Sequence, residues 1–157
     1  MSDDRARILV VDDVPENVRL LEAVLDAHGY DVVTATDGRS ALDLSLSARP
    51  DLVLLDVMMP PPDGLAVCSQ LRQQEETAVL PVIMLTASEG SEKRTAIEAG
   101  ADDFIPKPFN RDELLTRIRS LIRIKRYHDT IEAQAAELVD LNRTLAEREA
   151  RRNPVDS

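Results

Sequence analysis

The stretch LVLLDVMMPPPDG, residues 52–64, opens as a run apolar enough to be buried on every side and then sets Asp56 directly after Leu54 and Leu55. A carboxylate in apolar surroundings is costly unless its charge is compensated, so a chain that ends its most apolar segment on an acid needs a reason. Four apolar residues closed by a proline-rich turn have the length of a strand rather than a helix. Runs of the same kind stand at 8–11 and 82–85, and more polar ones at 31–35 and 102–105, giving five strands. The first, third and fourth are apolar almost throughout, so helices should cover both of their faces; the second and fifth suit the flanks.

Helical periodicity fills the intervals at 15–28, 39–48, 64–74, 92–99 and from 111 onward. In the first, Val18, Leu21 and Leu25 share a face and Pro15 suits the opening turn. Gly29 stops that helix and Gly100 caps the fourth. Strand and helix alternating in this way predict an α/β domain with a doubly wound, flavodoxin-like parallel sheet of five strands in the order 2-1-3-4-5, followed by a C-terminal helical extension. Sites in such sheets lie at the carboxyl ends of the strands.

Asp56 ends the third strand, and Asp12 and Asp13 end the first, its neighbour in the predicted order. Carboxylates that converge raise one another's pKa unless a cation neutralises them. Oxygen donors favour a hard ion, and a small open site suits Mg²⁺ better than Ca²⁺. Strand four runs into Thr86 and strand five toward Lys107, so a hydroxyl and an ammonium face the acids. A nucleophilic carboxylate, a cation and a Lys are what phosphoryl transfer requires. One acid at a strand end is often only a helix cap; four strand ends that agree argue against that for the set.

The bulk properties narrow the partners. The 157 residues carry 19 Lys and Arg against 29 Asp and Glu, a formal net charge of −10, which disfavours nucleic acid or an anionic membrane as the main partner. A DNA-binding role would have to come from another chain or segment. Aromatic residues make up 3% with no Trp, too few for a base-stacking surface. The single cysteine, Cys68, excludes an internal disulfide framework and is expected as a small, half-buried apolar residue. A charged start, MSDDRAR, and an apolar run too short for a signal or a span lead to the expectation of a soluble cytoplasmic protein.

The motifs ILVVDD, LVLLDVMMP followed by DG, VIMLTA, and KP within DDFIPKPF stand in the order and spacing of the receiver domain of bacterial two-component response regulators, which the chain resembles over about residues 5–122. The resemblance implies Asp56 as phosphoacceptor and a Mg²⁺ site, with Mn²⁺ as a substitute, formed by Asp12, Asp13, Asp56 and the Met58 backbone carbonyl, Asp12 acting through water. It implies Thr86 and the Ala87 backbone as phosphoryl-binding groups, Thr86 as the switch hydroxyl, Lys107 as the paired ammonium and Phe104 as the switch aromatic. The Lys107–Pro108 peptide is expected to be cis, a state accessible mainly before proline. The phosphodonor would be a sensor histidine kinase or a phosphotransfer protein. Pro60, Pro61 and Pro62 depart from the usual single proline and should stiffen the loop after Asp56. Met58, larger and less polar than the residue some relatives carry, is expected to restrict water and slow hydrolysis of the acyl phosphate.

Three segments are expected: a receiver at 1–122, a helical coiled-coil linker at 123–150 and a disordered tail at 151–157. No Gly or Pro interrupts the linker before Pro154. Ile124, Ile131, Leu138 and Leu145 lie seven apart, with Tyr127, Gln134 and Leu141 three further on, a seam suited to a parallel homodimer. The linker is similar to those joining receivers to nucleotide cyclases, and less distinctly to those before phosphatase or diguanylate cyclase outputs. Ending in RRNPVDS, the sequence is expected to hold no output domain, either as a fragment or as a protein acting through contact. His28 and His128 are expected to be structural, His128 exposed on the helix.

Two other classes compete. A haloacid-dehalogenase-like phosphatase also uses an aspartyl phosphate, but needs a second acid two residues after its nucleophile, where Asp13 is followed by Val14 and Pro15. A phosphorylation-independent dimerisation adaptor would leave the acidic, hydroxyl and lysine set unexplained. The chain is expected to be no enzyme beyond its own phosphorylation and dephosphorylation.

Overall fold

A computed structural model describes residues 5–87 and 91–152, the side chains of residues 91 and 92 excepted. Its elements follow the alternation: β1 (Arg7–Val11), α1 (Pro15–Ala27), β2 (Asp31–Ala35), α2 (Gly38–Ser47), β3 (Leu52–Asp56), α3 (Gly64–Gln73), β4 (Val82–Thr86), α4 (Ser91–Glu98), β5 (Asp103–Pro106) and α5 (Arg111–Arg152). The strands form one parallel sheet in the order β2-β1-β3-β4-β5, the order expected from the sequence. A short 3-10 turn, Glu75–Thr77, was not expected from the sequence; it leads from α3 toward β4.

The central strands are apolar because both faces are covered. On one face Ile8, Val10, Leu54, Ile83 and Leu85 pack with Leu21 and Leu25 of α1 and Leu114, Leu115 and Ile118 of α5. On the other, Leu9, Val11, Leu55 and Met84 pack with Ala41 of α2, Val67, Cys68 and Leu71 of α3 and Ala96 of α4. Burying each large aliphatic side chain contributes about 2 kcal/mol. Cys68 is fully rather than half buried, since α3 turns it onto the sheet, and burial pushes its thiol above the ordinary value. The flank strands β2 and β5 are the partly exposed ones.

Caps and glycines set the boundaries. Gly29 (φ 85°) and Gly100 (φ 104°) adopt the left-handed conformation that ends α1 and α4. The Asp37 and Asp63 side chains accept from the N–H groups of Ser40 and Ala66, opening α2 and α3. Strand five starts one residue later than periodicity suggests; just before it, the Asp102 N–H bonds to Val82 O at 2.9 Å while its carboxylate accepts the Val82 N–H at 2.8 Å and pairs with Arg72.

The chain divides into two compact units, Met1–Lys125 and Arg126–Ser157, where the sequence suggested a division at 122. The described part of the second is the continuation of α5, which includes Arg151 and Arg152, so the expected tail loses its first two residues to the helix; 153–157 lie outside the described residues. No described helix is long and apolar enough to cross a membrane.

Candidate functional site

The parallel register of β1 and β3 matches Val11 with Leu55, so the acids that follow come side by side. Asp12 continues the edge of β1 through its N–H to Ala35 O (3.2 Å) and is fully buried; Asp56 is the last residue of β3 and is 4% exposed. Asp13 is exposed. One carboxylate oxygen from each of Asp12, Asp13 and Asp56 lies within 4.8 Å of the others. These oxygens therefore converge.

From the opposite side comes Lys107, held by its N–H on Thr86 O at 2.7 Å, after a β5 that pairs Pro106 with Thr86. Its Nζ donates to Asp12 Oδ2 at 3.0 Å and lies 3.3 Å from Asp56 Oδ1. Asp56 Oδ1 also accepts the Met58 N–H at 3.2 Å, while Val14 N–H and Asn17 Nδ2 donate to Asp12 at 2.9 and 3.2 Å. Asp13 makes no hydrogen bond or ion pair among the described residues. Against three carboxylates stands one ammonium, so the site retains negative charge and oxygen donors, the chemistry that suits a hard divalent cation.

Burial, and then the charge of Asp12, push the Asp56 carboxyl above the ordinary value; Lys107 and the Met58 N–H pull it part of the way back. Burial alone would lower Lys107, but its hydrogen bond to Asp12 and the two nearby negative charges raise it. Lys107 is therefore charged at neutral pH, and its contribution to stability persists until pH passes its raised value. For Asp56 the sign is opposite to the usual carboxylate. The folded state holds the proton more tightly than the unfolded one, so stability declines as pH rises from the ordinary carboxylate value through the raised one. In EDTA, Asp56→Asn is expected to melt higher than the native chain at pH 7, with the gap closing as pH falls through that window. Equal thermal midpoints at pH 7 would contradict burial as the dominant cause.

Thr86 ends β4 and is fully buried. Phe104 is half buried beside α4, with Lys93 Nζ 4.8 Å from its ring centroid. Met58 is 63% exposed, so any shielding by its side chain is at the mouth of the site and not from the core. Ala87 is exposed and follows Thr86. The Lys107–Pro108 peptide is cis as expected, and so is Pro61–Pro62, which was not. His28 Nδ1 lies 2.9 Å from Val24 O within α1, and His128, 40% exposed by side chain, faces Asp129 and Glu132.

Asn17 was missed by sequence reasoning: a residue in the first turn of α1 gives no sign in the sequence that its amide turns back on Asp12. In the sequence the DG pair is no more than a motif. The geometry supplies its cause: Asp63 caps α3, and a Cβ on Gly64 would stand 2.2 Å from the Asp56 carbonyl oxygen.

Residues 8–119 match the response regulator receiver domain family. Among characterised proteins the chain is 47% identical over 132 residues to the response regulator PleD of Caulobacter vibrioides, covering 83% of this chain and 29% of PleD. It is 46% identical over 147 residues to the response regulator MprA of Mycobacterium tuberculosis, covering 93% of this chain and 63% of MprA. The chain thus spans less than two thirds of either relative. Among solved structures, the receiver domain of the sensor histidine kinase PA1611 from Pseudomonas aeruginosa, with a magnesium ion coordinated in its active site cleft, superimposes with a TM-score of 0.71 at 34% identity, covering 75% of this chain and 98% of that one. The Vibrio cholerae chemotaxis protein CheY4 does so with a TM-score of 0.71 at 34% identity over 74% of this chain and 98% of its own. With its sheet order, its acids at neighbouring strand ends and this match over most of its length, the chain belongs to the response regulator receiver domain family.

Proposed function

We propose that the chain is a phosphorylation switch of the cytoplasm, in which Asp56 takes a phosphoryl group from the phosphohistidine of a sensor kinase or phosphotransfer protein. The observation that carries this reading is the convergence of the Asp12, Asp13 and Asp56 carboxylate oxygens within 4.8 Å, with Lys107 Nζ 3.3 Å from Asp56. Asp56 Oδ1 is engaged by Met58 and Lys107, and among the described residues Oδ2 has no donor, which leaves it for attack. The new P–O bond forms as the P–N bond of the donor breaks; the imidazole leaves with the electron pair and takes a proton, and Asp56 becomes a mixed anhydride.

The carboxylates of Asp12, Asp13 and Asp56 and the Met58 carbonyl would hold Mg²⁺, or Mn²⁺, with Asp12 acting through water. When bound, that cation neutralises charge on the transferring oxygens. Lys107 exchanges its carboxylate partners for a phosphoryl oxygen, and the Thr86 hydroxyl and Ala87 N–H donate to the others. Inward movement of Thr86 makes room for Phe104, so the surface around α4 and β5 has two populations whose ratio follows phosphorylation. Met58 at the mouth slows hydrolysis of the anhydride. Labelling by acetyl phosphate tests this: acid-stable, hydroxylamine-sensitive label that forms with Mg²⁺ and not with EDTA supports it, whereas continuous turnover of p-nitrophenyl phosphate would point to a phosphatase.

The receiver at 1–122 is followed, in this reading, by a linker at 123–150 that pairs in parallel with a second copy and passes the switch to an output domain or partner. The seam residues Ile124, Tyr127, Ile131, Leu138, Leu141 and Leu145 are each 50–65% exposed, an apolar stripe that a single chain leaves in water. Light scattering is expected to give a mass twice that of one chain, falling to one chain in Ile131→Asp/Leu138→Asp. A native mass of one chain, with or without beryllofluoride, rejects the pairing and leaves the phosphoacceptor untouched.

A further inference from the structure

One side chain in the acid site belongs to none of the motifs that identify it. Asn17 lies in the first turn of α1, its backbone N–H on Val14 O at 3.0 Å, and its side chain folds back so that Nδ2 donates to Asp12 Oδ2 at 3.2 Å. The same oxygen accepts Lys107 Nζ at 3.0 Å, and Asp12 Oδ1 accepts the Val14 N–H at 2.9 Å. A carboxylate has roughly four lone-pair sites, so protein donors occupy most of the capacity of this fully buried group. The three donors are not equivalent. Lys107 is shared with Asp56 at 3.3 Å and rides on a long flexible stem. Val14 grips only Oδ1. The Asn17 amide sits on a short side chain anchored to a helix, and among the described residues it makes no other hydrogen bond.

We propose that Asn17 is a positioning residue for the cation site: its amide fixes the plane of the Asp12 carboxylate independently of Lys107, so the ammonium can turn to an incoming phosphoryl group while Asp12 keeps the orientation in which it would hold the ion through water. This rests on the cation-site reading above. Partners that orient ligating carboxylates matter because a carboxylate free to rotate loses the pre-set geometry that a divalent ion exploits.

The test is calorimetric titration of Mg²⁺ into the native, unphosphorylated chain, Asn17→Ala and the near-isosteric Asn17→Leu. Both substitutions are expected to raise the Kd about tenfold while leaving the thermal midpoint in EDTA within about 2 °C of the native one. A Kd within twofold of native overturns the inference. So does recovery of affinity in Asn17→Leu alone, which would mark a filled gap instead of a hydrogen bond, and so does a Kd rise that comes only with a large fall in the midpoint. A native chain that binds no Mg²⁺ overturns both this inference and the reading beneath it; native binding with indifferent variants overturns this one alone.

Discussion

Asp56→Asn is expected to reduce label from acetyl phosphate in Mg²⁺ at least about a thousandfold, the scale of losing a nucleophile that acts within a set. The substitution is close to isosteric. The amide oxygen can still accept the Met58 N–H and the Lys107 ammonium that Asp56 Oδ1 accepts at 3.2 and 3.3 Å, so geometry is retained and only nucleophilicity is lost. Asp12 is no substitute, because Val14, Asn17 and Lys107 already hold it and it is fully buried. The same variant should be at least as stable as the native chain at pH 7, which excludes unfolding as the cause of the loss. Undiminished label, quantified after acid quench, would reject Asp56 as the acceptor.

The second large effect is expected from Gly64→Ala. The added Cβ would stand 2.2 Å from the Asp56 carbonyl oxygen and 2.9 Å from Val57 Cα, distances at which backbone must move, since neither atom belongs to a flexible side chain. The loop has little room to yield: Gly64 N–H is bonded to Val57 O at 3.1 Å, and on its far side the Pro62 carbonyl oxygen lies only 2.3 Å from where a Cβ on Gly38 would be. Overpacking of this kind costs about 3 kcal/mol, a fall of about 10 °C in thermal midpoint for a domain of this size. Displacing Asp56 relative to Asp12 and Lys107 should also slow labelling about tenfold or more, as misplacing a reacting group by a fraction of an ångström does. A variant with native midpoint and labelling rate would show that the loop accommodates the methyl group and that the DG pair has another cause.

These two positions differ in how they could be foreseen. Asp56 was legible because a charge ending an apolar strand is an anomaly within a few residues of chain; Asp12 and Asp13 repeat it after the first strand, and Thr86 and Lys107 add a hydroxyl and an ammonium after two others. Gly64 carried no such signal beyond its motif. Its role depends on how closely the start of α3 passes under the end of β3, a distance that composition and periodicity do not encode. Asn17 was equally silent, being a common first-turn residue until its amide is seen to turn back on Asp12.

Element type and the place of the acids could be read from residue patterns because each is governed by the burial of neighbours close in the chain: the runs that became β1, β3 and β4 are apolar on both faces, and Gly29 and Gly100 end helices by their own conformational freedom, while strand order followed from the common winding of five alternating strands and helices. What needed the folded molecule were contacts between segments far apart or tightly apposed. Examples are the sharing of Lys107 between Asp12 and Asp56, and the Arg72 side chain binding Gly100 O, Leu80 O and Asp102. Such contacts depend on sub-ångström packing of the whole domain, and many residue patterns compatible with the same strands and helices would not make them.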